Sequence, residues 1–331
     1  MEALGFSLRQ EAALRMLTSD VLKSSENEGE TLDAGLVRSS IARRLGIDIG
    51  ALKPAGRHVE GIVEMMLDAT RHYDRPLTEE RLLAWHAALF PSGRSVMTKI
   101  TAGAWRNDST GPMQVVSCPI GREHVDFEGP KAGRLPREMK AFLKWFESGG
   151  HMDPVLKAGL AHLWFVTIHP FDDGNGRIAR AIADMALARS ENSPQRFYSM
   201  SAQVRQERRA YYDILERTQK GTMDVTLWME WFLDCLGRAI DGAQEFLSAV
   251  LNKARFWERI KDLPLNHRQR LVLNRLLDGF EGKLASSKYA TLTKCSQDTA
   301  HRDILALVEH GVLVRNPECG RSTSYSLAPT E

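Results

Sequence analysis

Through most of this chain apolar side chains recur every three or four residues, the spacing that lays one greasy stripe along a helix. Ala13, Leu14, Leu17 and Val21 set that rhythm over 8–24, with polar and charged residues between them. The pattern returns over 32–45 and 59–73, and again over 77–89, where Thr78 can cap the first turn. Between 90 and 134 it stops. Gly and Pro recur there, and Met113-Gln114-Val115-Val116 faces Val125-Asp126-Phe127 across Pro119-Ile120-Gly121. This predicts a β-hairpin, the one good strand signal in the first 260 residues. Helix resumes over 136–147. Asp153 followed by Pro154 is a clean start, an N-cap and then proline at the first helical position, for a helix reaching Ile168. Further helices are expected at 177–190, 203–220, 224–238 and 239–260.

Pro264 marks a boundary. Three short helices are expected beyond it, at 266–279, 286–292 and 296–310, followed by two short strands around Gly311-Val312-Leu313-Val314 and 322–327. Helices followed by a two-stranded ribbon are the signature of a winged helix-turn-helix. The expected fold class is therefore mainly α, with a helical body over 1–260 and a small module over 264–331.

Composition narrows the function classes. At 331 residues the chain has about two domains' worth of sequence, and 43% hydrophobic residues supply their cores. Lys and Arg number 44 against 42 Asp and Glu, a net charge of +2, which excludes a strongly basic nucleic-acid coat or an acidic tail as the global description. Cys118, Cys235, Cys295 and Cys319 stand far apart without a CxxC, which fits a reducing compartment and speaks against structural zinc. The start has no basic n-region or long apolar stretch, and the most apolar run, 159–168, is about half the ~20 residues of a membrane span and contains His162. A cytoplasmic protein with no membrane contact is expected.

The chemistry concentrates at His169-Pro170-Phe171-Asp172-Asp173-Gly174-Asn175-Gly176-Arg177-Ile178-Ala179-Arg180. Pro170 disfavours helix at His169, so the incoming helix should stop there. Gly174 and Gly176 permit backbone conformations and approaches that side chains forbid. A helix beginning near Arg177 would turn its free N–H groups toward the loop, a ready anion site, and Arg177 and Arg180 add positive charge. Asp173 beside phosphate makes sense when Mg²⁺ bridges them, since that ion takes one or two carboxylates plus phosphate oxygens. With His169 as a base at the rim, the string describes a phosphoryl- or nucleotidyl-transfer site. It lacks the GxxxxGK[ST] of a Walker loop, and no strand precedes it as in a Rossmann turn.

These twelve residues match the Fic signature HPFx[D/E]GNGRxxR at every defined position, and the chain resembles that family. The likeness extends to the plan, a Fic-type helical core with a short β-hairpin flap ahead of the motif and, in many members, a C-terminal winged helix. It implies an N-terminal region over 1–50, a catalytic core over 51–260 and the module at 264–331. It also implies transfer of AMP from Mg·ATP to a Ser, Thr or Tyr hydroxyl of a target protein or of the chain itself. On this resemblance His169 is the general base and Asp173 holds Mg²⁺. Gly174, Asn175 and Gly176 form the anion hole, helped by Arg177. Arg180 engages the γ-phosphate, and Phe171 anchors the loop in the core. Asp172 falls at the variable position.

Ser24-Ser25-Glu26-Asn27-Glu28-Gly29 resembles the family's inhibitory motif [S/T]xxxE[G/N]. The implication is that Glu28 pairs with Arg180 and displaces the γ-phosphate, two anions competing for one guanidinium. Asn27 stands where close relatives carry an apolar residue, which predicts a looser seat for this segment. Glutamate-bearing members also reverse the reaction, so removal of AMP is implied as well. Tyr212 and Gln219, on the helix that lines the adenosine pocket in Fic proteins, are expected to contact ATP by stacking and an amide hydrogen bond. Tyr211 is equally well explained as core. The hairpin 113–127 is the expected binding edge for an extended target segment, with Ser117 and Cys118 near the nucleotide at its turn.

Within 264–331, nine Lys and Arg against seven Asp and Glu is a modest excess for DNA binding. Gln297, Thr299, His301 and Arg302, after an N-cap at Ser296, are the residues that would face a groove. A DNA-associated regulator with a nucleotide-sensing core stands as the alternative reading, and a homodimer is left open.

Overall fold

The computed structural model describes residues 6–329 other than 50, 51, 96, 97, 110, 118–123, 151, 278–281 and 318–322. Cys118 lies outside the described residues; Ser117 has a described backbone, but its side chain does not belong to them. The chain divides into two compact units, Met1–Leu247 and Ser248–Glu331.

The first unit opens with α1 (Phe6–Asn27), α2 (Ala34–Leu45), α3 (Arg57–Arg71) and α4 (Glu79–Leu89). Thr78 caps α4 as its position foretells, accepting from the Arg81 N–H at 3.2 Å. Two short antiparallel pairs follow. The strands β1 (Arg94–Ser95) and β2 (Thr98–Lys99) carry no alternation and escape a pattern reading. The flap is β3 (Gln114–Ser117) against β4 (His124–Glu128), with Val115 opposite Phe127 and a bulge between Val115 and Val116.

Helices α5 (Leu135–Glu147), α6 (Pro154–Ile168) and α7 (Asn175–Glu191) then build the centre. Asp153 caps α6, its carboxylate accepting from Val155 N–H at 2.8 Å. In α7 every residue from Arg177 to Leu187 is buried. Its alanines (179, 181, 183, 186) let neighbouring helices approach, and α6 and α7 form the most extensive helix pair of the unit. Phe142, Phe146, Phe165 and Phe171 fill the space around them.

Two expectations need correction. The segment expected as one helix over 203–220 is α8 (Met200–Gln206) and α9 (Arg208–Lys220), interrupted at Glu207. Ser199 caps α8, and the Glu207 carboxylate is drawn out to Arg238 at 2.6 and 2.7 Å. Conversely, 224–260 is a single helix, α10 (Thr226–Arg259), because Gly237 and Gly242 alone do not break a helix and no proline interrupts it. The division between the two units falls inside α10, whose Phe256 belongs to the second core.

The second unit continues with α11 (His267–Leu277), α12 (Ser286–Thr293), α13 (Gln297–Glu309) and an antiparallel pair, β5 (Leu313–Arg315) and β6 (Tyr325–Leu327). Ser296 caps α13. Val272, Leu273, Tyr289, Ile304 and Leu307 make its core. Asp303 is the polar hub, receiving Asn266, Arg268 and Tyr289.

Candidate active site

The site grows from the junction of α6 and α7. Helix α6 ends at His169, whose backbone is left-handed (φ 51, ψ 57) while its N–H still bonds to the Phe165 carbonyl at 3.0 Å. That conformation is costly for a residue with a Cβ and persists only where the surroundings impose it. The imidazole Nδ1 lies 3.2 Å from the Val166 carbonyl. An oxygen there can only accept, so Nδ1 carries the proton and Nε2 keeps its lone pair. Burial pushes the His169 pKa down to about 4, so the ring is neutral at neutral pH.

The loop that follows is held from inside. Phe171 is fully buried and stacks on His86, centroids 4.1 Å apart and planes 7° from parallel. The Asn175 side chain closes on the Phe171 backbone, accepting from its N–H at 3.0 Å and donating to its carbonyl at 2.9 Å. The amide expected in the anion hole is therefore spent on the loop itself, which leaves its backbone N–H to the cradle. Gly174 has φ 79, and a Cβ there would sit 2.9 Å from the Phe90 ring. Asp173 accepts from Gly174 N–H at 2.6 Å and from the Ser95 hydroxyl. Asp172 ties the loop to Thr101 N–H at 2.9 Å.

The end of α1 reaches this loop with two carboxylates. Glu28 Oε1 lies 2.6 Å from Arg180 Nη2, and the arginine side chain is only 3% exposed. Arg180 also donates to Ser24, from Nε to the hydroxyl at 3.1 Å and from Nη2 to the carbonyl at 2.9 Å. A Cβ on Gly176 would fall 2.4 Å from Glu28 Oε1, so the glycine leaves the room the carboxylate fills. Two residues on, across left-handed Gly29, Glu30 Oε2 meets Arg177 Nη1 at 3.0 Å, and its other oxygen bonds to His58 Nε2. The Arg177 guanidinium packs over the Phe90 ring at 5.1 Å. It is thus turned toward Glu30 and Phe90 and away from the cavity wall where the sequence reading puts it. Asn27 is buried and donates to the Ser201 carbonyl at 3.0 Å, so it fastens the segment to α8 where a looser seat is expected.

A cavity of about 870 Å³ opens over this loop. His169, Asp173 and Gly176 form its floor, Val115, Asp126 and Phe127 of the flap line one side, and Tyr212 and Gln219 of α9 line the other. The Tyr212 hydroxyl donates to the Asn27 carbonyl at 3.4 Å, and Arg208 covers its ring at 5.2 Å. Gln219 Nε2 bonds to Thr167 Oγ1 at 3.2 Å. Tyr211 is buried and bonds through its hydroxyl to His162 Nε2 at 3.0 Å, while its side chain also borders the cavity.

The structure thus brings together His169, Asp173, Gly176, Tyr212, Gln219 and Glu28 around one cavity. Arg180 lies beneath, behind Glu28. Sequence reasoning misses Glu30, His58, Arg106 and Arg208; a second glutamate two residues after Glu28 is the one signal available for any of them. Among the described residues no cluster of three or more His, Cys, Asp or Glu side chains is arranged to hold a metal by itself. Asp172 and Asp173 are the loop carboxylates that line the cavity. No helix among the described residues is long and apolar enough to cross a membrane.

Comparison with known proteins agrees with this geometry. Residues 76–187 match the Fic/DOC family, and residues 1–47 match a domain of unknown function (DUF4172). Curated relatives include the protein adenylyltransferase Fic of Drosophila ananassae, 33% identical over 114 residues, and that of Culex quinquefasciatus, 34% identical over 114 residues. Each alignment covers 34% of this chain and 21% of the relative, so the chain matches about a fifth of their length. Among solved structures, a Fic family protein from Desulfovibrio desulfuricans G20 is 21% identical with a TM-score of 0.52, over 100% of this chain and 90% of that one. A Fic domain containing signaling protein from Bacteroides thetaiotaomicron VPI-5482 is 21% identical with a TM-score of 0.53, over 73% of this chain and 90% of that one. The last two share the fold.

Proposed function

We propose that this chain, whose residues 76–187 match the Fic/DOC family, is a protein adenylyltransferase restrained by its own first helix. ATP would lie in the 870 Å³ cavity with its adenosine against Tyr212 and Gln219 and its phosphates over the amides that start α7. Asp173 would hold Mg²⁺, which supplies charge neutralisation for the phosphates. A Ser, Thr or Tyr hydroxyl presented along the flap attacks the α-phosphorus as His169 Nε2 takes its proton. The bond to the β-phosphate oxygen breaks, and pyrophosphate leaves. The neutral, accepting Nε2 that carries this reading follows from the Nδ1–Val166 contact and from burial.

Restraint follows from the Glu28–Arg180 pair, since a γ-phosphate reaching Arg180 would have to displace a carboxylate 2.6 Å away. Removing Glu28 frees the guanidinium. A charged hydrogen bond of about 1.5–3 kcal/mol corresponds to a rate gain of roughly 10- to 150-fold. The experiment is mass spectrometry of the Glu28→Gly protein after incubation with Mg·ATP. A 329 Da AMP adduct on a hydroxyl residue, absent in Glu28→Gly/His169→Ala, is the expected result. A folded, ATP-binding Glu28→Gly protein that incorporates no AMP into itself or a lysate would refute the reading.

The element order of the second unit supports reading residues 264–331 as a winged helix-turn-helix. Exposed Gln297, His301 and Arg302 on α13 favour DNA as a second partner class. A mobility shift with genomic fragments that is lost in Arg302→Ala tests that reading, and no shift at low salt rejects it.

A further inference from the structure

The base and the acceptor come from different parts of the chain. His169 sits at the end of α6, whereas the flap is rooted some forty residues earlier. Transfer requires the hydroxyl to lie about 2.6–3.2 Å from the imidazole, so something must hold these two segments in one frame. Arg106, from the irregular stretch between β2 and β3, is placed to do so.

Its side chain is 2% exposed. Nε donates to the His169 carbonyl at 2.7 Å, and its backbone N–H donates to the Pro170 carbonyl at 2.9 Å. The remaining arm of the guanidinium turns to the flap. Nη2 donates to the Pro130 carbonyl, and Nη1 meets Asp108 Oδ1 at 3.0 Å. The other Asp108 oxygen accepts from Ala132 N–H at 2.7 Å, just beyond the flap. At the flap root Gly129 N–H bonds to the Met113 carbonyl at 2.8 Å, closing the two strands. A Cβ on Gly129 would press to 3.1 Å from Arg106 Nη2, so the strand end passes directly over the guanidinium.

We propose that Arg106 is a positioning residue for transfer, locking the left-handed backbone of His169 and the root of the flap into a single rigid unit. The inference rests on the adenylyltransferase reading for its functional meaning. A planar guanidinium offers five N–H donors in fixed directions, so it can bind the His169 carbonyl, the Pro130 carbonyl and Asp108 at once. A lysine offers one rotatable ammonium and can satisfy only part of that set. The His169 carbonyl matters because a residue at φ 51 has no helical partner to hold that peptide plane. With the clamp released, base and flap can drift independently. Misplacement by about 1 Å costs on the order of 100-fold in rate while the nucleotide site, on the other side of the loop, is untouched.

The test compares Arg106→Gln and Arg106→Lys, each in the full chain carrying Glu28→Gly. Expected are ATP affinity within twofold of the parent, an unchanged KM for ATP, and kcat for AMP transfer lower by about 100-fold in Arg106→Gln, with partial rescue in Arg106→Lys. Two readouts need no turnover. Amide exchange at 113–116 and 124–129 should accelerate together with that at His169 and Phe171. The His169 titration followed by NMR should move up, because the Arg106 charge disfavours the imidazolium. If Arg106→Gln does not fold, Arg106→Lys carries the rate, affinity and exchange comparisons, and its retained charge should leave the His169 titration in place. A parent that transfers no AMP would sink the functional reading and leave the exchange and titration results to judge the clamp. Unchanged exchange at both segments, or a rate loss matched by an equal loss of ATP affinity, would overturn the proposal.

Discussion

Replacing Asp20 by asparagine tests how the first helix is held to α7 and α8. Asp20 is 4% exposed and accepts from the Ser199 hydroxyl. It faces a second buried acid, Asp184 of α7, which pairs with Arg196 at 2.7 Å, and Ser201 of α8. Burial first, and then the Asp184 charge, raise the Asp20 pKa to about 7, against the pull of Arg196 and the two serines. Below the unfolded value near 3.8 both states are protonated. Between there and about 7 the docked form keeps a proton that the undocked form has released, so docking weakens as pH rises. At about 1.4 kcal/mol per unit, the loss over the window is about 4 kcal/mol, complete once the docked carboxyl ionises. Asparagine is neutral throughout and keeps an acceptor for Ser199, so it removes the slope. Amide exchange of α1 at pH 5, 6, 7 and 8 measures this, since the ratio of wild type to Asp20→Asn cancels the intrinsic chemistry. The ratio should climb about tenfold per unit between pH 5 and 7 and level off above. A flat ratio would refute the argument, because it would mean that Asp20 is already ionised when docked.

Glu30→Gln should add a few-fold to the transfer rate of the Glu28→Gly protein, less than Glu28 itself gives, because Glu30 is about a third exposed and its pair is screened. The bond to Glu30 raises the His58 pKa, so this restraint is complete below about 6.5 and fades as pH passes the raised value; the gain from Glu30→Gln, read from initial rates, should be larger at pH 6 than at pH 8.5. Gly61→Ala should lower the melting temperature of the first unit, since a Cβ there would come 1.8 Å from the Ala88 carbonyl and force α3 from α4; overpacking of this kind costs about 1–3 kcal/mol. Asp303→Ala should destabilise the second unit by about 1–3 kcal/mol, chiefly by leaving Asn266 and buried Tyr289 without their common acceptor, since the half-exposed Arg268 can turn to water, and should leave the melting of the first unit in place.

Local rules were enough for much of this protein. Thr78, Asp153 and Ser296 cap the helices their neighbours announce, because a cap is a bond between residues two or three apart and needs nothing from the rest of the chain. The helical stripes and the flap hairpin are legible for the same reason, and the twelve-residue string at 169–180 exposes its chemistry because its groups are adjacent. Even there, position was decided by tertiary structure: the Asn175 amide turned inward to Phe171 and Arg177 turned to Glu30, choices that depend on which neighbours surround each side chain. Arg106, His58 and Glu30 sit in unremarkable sequence. The contacts that tie them to the loop, to Leu89 and to one another span from about 30 to nearly 150 residues, and no periodicity encodes such a pairing. It is the chain's return to the same place that excludes water, leaves each buried charge in need of a counterpart, and so determines that Arg106 holds the His169 carbonyl while Glu30 and Glu28 pair with Arg177 and Arg180.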